Sequence, residues 1–170
     1  ISTDKLGGAN LHDFDAFTPT VANIRPTSRG EINIVSPDSR ENPKIKMNYL
    51  STEEDRKVAA DGIRLVRKIV MESQEFKKFE PEEFRPGFHI QDSEDIIKAC
   101  SHYAQTIFHP VGTCKMGNDD EAVVSDDLKV KGIDNLRVID ASIMPNITSG
   151  NTNAPTIMIA EKGADMILNG

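Results

Sequence analysis

The stretch NLRVIDASIMPNITSGNTNAPTIMIAEKGADMIL, residues 135–168, decides the fold of the C-terminal part of the chain. Residues 135–142 predict a short strand that ends at Asp140. Residues 154–168 predict a terminal helix with Pro155 in its first turn, where proline is tolerated because no intrahelical N–H bond is lost. A strand, a loop and a helix in this order form half of an α/β crevice.

The loop between this strand and helix is polar just before the helix begins, at Ser149, Gly150, Asn151, Thr152 and Asn153. Free backbone N–H groups and the positive end of the helix dipole face whatever binds there. One interpretation is a capping loop, since Asn and Thr cap helices routinely. The other is a site where these amides hold an anion or an electron-rich heterocycle.

The first part of the sequence predicts a small antiparallel sheet. Residues 17–26 and 30–35 are rich in β-branched residues or alternate polar with apolar residues, and the turn TSRG lies between them. Together they predict a hairpin, and residues 43–50 predict a third strand.

Two helices and one excursion are predicted around this sheet. Residues 51–73 have Ser51 and Glu54 in capping-box spacing and predict a helix that packs on the sheet. Its apolar positions recur at helical spacing: Val58, Ala59, Ile63, Val66, Ile69 and Val70. A second helix is predicted over 92–106, and residues 117–132 predict a hairpin-like excursion. The fold class is therefore α+β with an α/β element (α+β / α/β).

The amino-acid composition limits the kinds of partner that the protein can bind. A net charge of −7 over 170 residues argues against a nucleic-acid partner, which needs a clustered basic face. No stretch approaches the ~20 apolar residues that a bilayer-spanning helix needs. Two cysteines are too few for a disulfide framework and favour a reducing, cytoplasmic setting. Peripheral association with the inner membrane stays compatible with this composition.

The segment HPVGTCKMG, residues 109–117, contains a candidate base. A partly buried histidine bonded to backbone is one interpretation of His109. The other is a general base, because the unperturbed pKa of histidine lies near neutrality. A third arrangement, a zinc site of Cys100, His102, His109 and Cys114, has the right ligand types but poor spacing.

Three ordered motifs carry a family resemblance. FHPVGTCKMG, LKVKGIDNLRVIDASIMP and SGNTNAPTIMIAEKGADMI resemble the C-terminal region of the glucose-methanol-choline (GMC) family of FAD-dependent oxidoreductases, and the choline-dehydrogenase-like alcohol dehydrogenases most of all. The resemblance extends from about Phe17 to the end. It implies a partial substrate-binding domain over 1–106, and over 107–170 the strand-loop-helix return of an FAD-binding, Rossmann-like domain.

The resemblance also implies a chemistry. His109 would take the hydroxyl proton of a small-molecule alcohol, Asn151 would be its partner and bind the developing alkoxide, and the hydride would pass to flavin N5. Asp140, Ala141 and the backbone of Asn151, Thr152 and Asn153 would contact FAD. A quinone or another acceptor would then take the electrons.

Several alternatives stay open. The family binds the ADP half of FAD through an N-terminal G-x-G-x-x-G motif that this sequence lacks, so we expect the chain to be the C-terminal segment of a longer enzyme and inactive alone. An oxidase using O2 and a non-redox lyase share the motifs. A non-catalytic, zinc-stabilised binding module is the alternative of another class. Too few aromatic residues are present to mark choline as the alcohol.

Overall fold

The computed structural model describes residues 10–169, which form two compact units. The first contains residues 10–23 and Tyr49–Ile107, and the second contains Ile24–Asn48 and residues 108–169. The sequence division at 106/107 therefore differs at one segment, because residues 24–48 group with the C-terminal part. The guanidinium of Arg29 in this segment donates to the side chain of Asn146. The substrate-binding and FAD-binding roles of the two parts stay predictions, and residues 1–9 lie outside the described residues.

The sheet has two strands, β1 (Glu31–Asn33) and β2 (Lys44–Lys46), paired antiparallel with Ile32 opposite Ile45. The predicted second and third strands thus pair with each other. The predicted first strand, residues 17–26, is wrong, since none of these residues is in a strand. Pro19 and Pro26 lack the N–H group that a strand donates to its neighbour.

The first unit is built on helices α1 (Glu53–Glu72), α2 (Gln74–Lys77) and α3 (Ser93–Tyr103). The N-cap of α1 is Thr52, whose hydroxyl accepts from the amide of Asp55, and not Ser51 as predicted. Helix α3 begins as predicted, with Asp92 accepting from the amide of Glu94.

Helix α1 packs on α3, where the sequence analysis expected the small sheet. Its buried residues are Asp55, Ala60 and Arg67, whereas the predicted core positions Val58 and Ile69 are exposed. Charged side chains occupy this buried face because each is hydrogen-bonded there: Asp55 accepts from the Asn23 amide at 3.1 Å, and Arg67 is paired on several sides.

The second unit ends in α4 (Asn153–Leu168), which begins with Pro155 in its first turn as predicted. The predicted strand over 135–142 is wrong. Arg137 makes a single bridge, to Lys129, and Ala141–Ile143 forms a 3-10 turn. Among the described residues, the main chain of this segment bonds to Leu128 and Val130 near its start and to Cys114 at its end, and these bonds do not form a continuous ladder.

The core of the second unit lies between α4, the 3-10 turn and the excursion over 117–132. The excursion folds back on itself through an antiparallel bridge between Val124 and Val130, which confirms its hairpin-like character. Five buried residues form the core cluster: Val124, Leu128, Ile143, Met144 and Ile159.

Candidate active site

The segment containing His109 is fastened to the 3-10 turn by main-chain hydrogen bonds. The amide of Cys114 donates to the carbonyl of Ser142 at 3.0 Å, and the amide of Met116 donates to the carbonyl of Ile143 at 2.8 Å. These bonds join two of the three sequence motifs, although they are nearly thirty residues apart in the chain.

Gly112 lets this segment approach the turn closely. Its φ of +88° lies in the left-handed region, and a Cβ built there would be 3.3 Å from the carbonyl oxygen of Met144. A side chain at this position would be strained and crowded. Glycine at this position therefore permits the close approach of the two segments.

Lys115 does not supply a free positive charge to the site. Its ammonium group bonds the carboxylate of Asp119 at 3.1 Å and that of Glu121 at 3.5 Å. The hydrogen bond to Asp119 is the main cause that raises the pKa of Lys115. The charge of this lysine is thus neutralised within its own loop.

His109 meets the third motif at Thr152. Its Nδ1 atom lies 3.1 Å from the Thr152 hydroxyl oxygen, a hydrogen-bond distance between side chains 43 residues apart. The imidazole is half-buried, and Thr152 is 9% exposed. Within residues 10–169, Nε2 of His109 makes no hydrogen bond. The partner of the ring is therefore a side-chain hydroxyl, not the backbone of the simpler interpretation.

The residue before His109 adds local strain. Phe108 has a φ of +65°, a left-handed conformation that bulky residues rarely adopt. Such conformations persist where the surroundings fix the chain and are common at functional sites.

Thr152 stands at the start of α4 without capping it. Its side chain makes no capping hydrogen bond, and its carbonyl accepts from the amide and the hydroxyl of Thr156, at 3.0 and 2.6 Å. The amides of Asn153 and Ala154 at the first turn therefore receive no acceptor from this side chain. The side chains of Asn151 and Asn153 are exposed beside them.

Ser149 is a residue of this loop to which the sequence analysis gave no separate role. Its φ is +61°, and its hydroxyl oxygen is buried without a hydrogen-bond partner among the described residues. A buried unpaired hydroxyl is costly, so it indicates a missing polar partner. Serine is common in turns, which is why the sequence alone gave no signal for this residue.

Asp140 has a structural task of its own. One carboxylate oxygen accepts from the amide of Ser142 at 2.8 Å and from its hydroxyl at 2.5 Å, so Asp140 caps the 3-10 turn. Ala141 follows as the first residue of that turn and is half-buried. The predicted contacts of both residues with FAD stay predictions.

The zinc alternative finds no support in the described part of the chain. Across residues 10–169, no group of three or more His, Cys, Asp or Glu side chains is arranged to hold a metal ion. Burial raises the pKa of the Cys100 thiol, which disfavours the thiolate that zinc requires.

None of the described helices combines the length and the apolar character needed to cross a membrane.

Comparison with known proteins bears on all three motifs. The chain is 46% identical to oxygen-dependent choline dehydrogenase of Pseudomonas fluorescens (strain Pf0-1), over 98% of this chain and 29% of that protein. Pyridoxine 4-oxidase from Mesorbium loti matches with a TM-score of 0.77 and 36% identity, over 83% and 27% of the two chains. An FAD-dependent oxidoreductase from Chaetomium thermophilum matches with a TM-score of 0.79 and 30% identity, over 85% and 25%.

The chain thus spans less than a third of the length of these proteins. The GMC oxidoreductase family profile matches residues 26–160, which include the sheet, the His109 segment and the start of α4. These matches confirm the resemblance carried by the three motifs: the chain belongs to the GMC oxidoreductase family.

Proposed function

We propose that this chain is the C-terminal part of an FAD-dependent, choline-dehydrogenase-like enzyme that oxidises a small alcohol, with His109 as the base and Asn151 as its partner. The observation that carries the proposal is the hydrogen bond of His109 to Thr152. It brings the imidazole to the loop that contains Asn151, at the start of α4.

The residues before α4 fit the polar edge of a flavin. The buried hydroxyl of Ser149 has no partner among the described residues, and the first-turn amides of α4 lack a side-chain cap. Both could bind an electron-rich group, and the positive end of the helix dipole favours negative charge there. Asn151, Thr152 and Asn153 would hold FAD through their backbone, and Asp140 and Ala141 would contact it from the 3-10 turn. When bound, FAD supplies the acceptor for the hydride that leaves the alcohol carbon.

His109 would move the proton. Oxidation of an alcohol to a carbonyl removes a proton from oxygen and a hydride from carbon. The unbonded Nε2 of His109 would accept the hydroxyl proton, a contribution of about 10²–10⁴ in rate. The amide of Asn151 would donate a hydrogen bond to the oxygen as negative charge develops on it. In this structure Asn151 is exposed and His109 is half-buried, with its Nε2 unbonded among the described residues.

The identity of the alcohol is a separate part of the proposal. The relatives named choline dehydrogenase make choline the first alcohol to test. In the first unit the rings of Phe84 and Tyr103 already bind a cation of the protein, because the guanidinium of Arg85 lies 5.0 Å from the ring of Phe84 and 5.5 Å from that of Tyr103. A primary aliphatic or aromatic alcohol is therefore the second class to test.

The electron acceptor is proposed to be a quinone or a similar small molecule. The words oxygen-dependent in the name of the Pseudomonas relative favour O2 as a second candidate. Measuring oxygen uptake and quinone reduction side by side with the full-length enzyme distinguishes the two. A cytoplasmic setting, with peripheral contact to the inner membrane where a quinone resides, is part of the same proposal.

The test is anaerobic stopped-flow reduction of the full-length flavoprotein by choline and by primary alcohols. We expect His109→Gln to slow flavin reduction about 10²–10⁴-fold while the flavin stays bound. His102→Gln is the matched control, since His102 is exposed on α3 and contacts the ring of Tyr103, and we expect it to match the wild type. Reduction of His109→Gln at the wild-type rate would overturn the assignment, and substrate turnover without bleaching of the flavin would favour a lyase.

A further inference from the structure

We propose that Thr152 is a positioning residue that fixes the tautomer of His109. In this arrangement the Thr152 hydroxyl accepts the Nδ1–H of the imidazole, so Nε2 carries the lone pair. The inference rests on the proposed function, because it explains how His109 can act as a base.

The geometry gives Thr152 one well-defined position. It is the residue immediately before α4, and its carbonyl is held by the amide and hydroxyl of Thr156, at 3.0 and 2.6 Å. The residue is 9% exposed, so little water reaches it to compete for the hydroxyl. Its distance of 3.1 Å from Nδ1 is normal for an N–H···O hydrogen bond.

The Thr152 hydroxyl also makes no capping hydrogen bond, although a residue in its position normally makes one. A threonine before the first turn of a helix usually accepts a hydrogen bond from an amide of that turn. Thr152 does not, and its hydroxyl contacts the imidazole instead. Pro155, the third residue of α4, has no N–H to donate, so the Thr152 hydroxyl is available to His109.

A neutral imidazole has one N–H donor and one acceptor nitrogen, and a threonine hydroxyl can pair with either. Of the two tautomers, the one with hydrogen on Nδ1 leaves Nε2 basic, as the proposed reaction requires. The hydrogen bond made by one nitrogen sets the state of the other. If Nδ1–H donates to Thr152, Nε2 is the acceptor and can take a proton. In the opposite tautomer, Nε2 carries the hydrogen and the neutral ring has no basic atom on the side away from Thr152.

The arrangement assigns two consecutive residues to the two ends of one proton transfer. Asn151, exposed at the loop, would bind the substrate oxygen, and Thr152 would hold the far side of the ring that takes its proton. A shift of this loop would therefore displace both groups together.

The experiment uses the full-length flavoprotein in three variants. Thr152→Val keeps the branched shape and removes the acceptor, Thr152→Ser keeps the hydroxyl, and Ser101→Ala removes an exposed hydroxyl on α3 that donates to the carbonyl of Ile97 and does not contact His109. We expect Thr152→Val to lower the limiting rate of flavin reduction about 3- to 10-fold, the range for one neutral hydrogen bond, with the apparent Kd for the alcohol unchanged. We expect Thr152→Ser and Ser101→Ala to stay within about twofold of the wild type.

A second readout does not depend on turnover. In the oxidised enzyme labelled with ring-¹⁵N histidine, the resonances of His109 are those missing from His109→Gln. We expect the wild type to show a protonated Nδ1 and an unprotonated Nε2, and Thr152→Val to show a mixture of tautomers.

The outcomes separate the two proposals. A wild type with hydrogen on Nε2, or a Thr152→Val variant with wild-type rate and tautomer, overturns the role of Thr152. A Thr152→Ser variant that binds its flavin fully but reduces it as slowly as Thr152→Val also overturns this role. If His109→Gln leaves flavin reduction unchanged, the proposed base is wrong, and the tautomer spectra still decide whether Thr152 fixes the ring.

Discussion

The buried ion pair between Arg67 and Glu83 offers the sharpest test of how the first unit is held together. Nε and Nη2 of Arg67 each donate to a different carboxylate oxygen of Glu83 at 2.9 Å. The two side chains are 9% and 13% exposed. The guanidinium also donates to the carbonyls of Ile90 at 2.7 Å and Gly87 at 3.2 Å. One arginine thus fastens α1 to the loop that precedes α3.

We predict that Arg67→Met destabilises this region strongly. Methionine keeps most of the side-chain length but leaves the carboxylate of Glu83 buried without its partner. Removing one member of a buried ion pair costs about 3–5 kcal/mol. This is a large part of the ~5–15 kcal/mol by which native domains are stable.

The double variant Arg67→Met/Glu83→Leu separates the lost pair from the stranded charge. It removes both charges, and such replacements of buried pairs are often close to neutral. The two carbonyls still lose a donor, and unsatisfied groups of this kind cost about 1–3 kcal/mol each. We therefore expect the double variant to be less destabilised than the single one.

Hydrogen exchange followed by mass spectrometry measures this locally in the full-length protein. Peptides from α1 and from residues 80–91 should exchange about 10²–10⁴-fold faster in Arg67→Met, which is the rate equivalent of ~3–5 kcal/mol. The double variant should recover part of the protection. Exchange within threefold of the wild type in the single variant, or equally fast exchange in both variants, would refute the reasoning.

Three further predictions concern packing, capping and charge. A Cβ at Gly163 would lie 2.5 Å from Cγ2 of Ile139, so Gly163→Ala should lower the midpoint of urea unfolding. Adding Ile139→Ala should reverse much of that loss. An unchanged midpoint in Gly163→Ala would contradict this packing. Thr52→Val should speed exchange in the first turn of α1 about fivefold, the equivalent of ~1 kcal/mol, and Thr52→Asp should not. The hydrogen bond from Lys115 holds the pKa of Asp119 below its ordinary 3.8, so Lys115→Met should raise that pKa in an NMR titration. Since the folded-state pKa is the lower one, this pair stabilises the fold above pH 3.8 and stops doing so as the pH falls through the folded-state value.

The helices could be predicted from sequence because their signals are local. Asp92 caps α3 and Pro155 lies in the first turn of α4, both as predicted. The buried face of α1 could not be predicted in the same way. Arg67 is buried because Glu83 and two carbonyls meet it there, and that pairing depends on a loop sixteen residues away.

The strands were predicted less well because a strand depends on its neighbours. Residues 30–35 and 43–50 each contain a real strand, but the predicted hairpin joined the first of them to the wrong partner. Residues 135–142 have the composition of a strand, and within the described part of the chain they find one bridge and then a 3-10 turn. Composition indicated extended backbone and left the pairing undetermined.

In the candidate site, too, the sequence predicts the individual residues better than the contacts between them. The motifs selected His109 and the 149–153 loop, yet the contact between His109 and Thr152 spans 43 residues and has no local signature. The contact is unusual when the start of α4 is compared with the starts of α1 and α3. Helices α1 and α3 are capped by Thr52 and Asp92, whereas α4 has a threonine in the same position and no cap. Pro155 occupies in α4 the position from which Asp55 donates to Thr52 in α1, and proline has no N–H to donate, so the hydroxyl of Thr152 is left for the imidazole of His109.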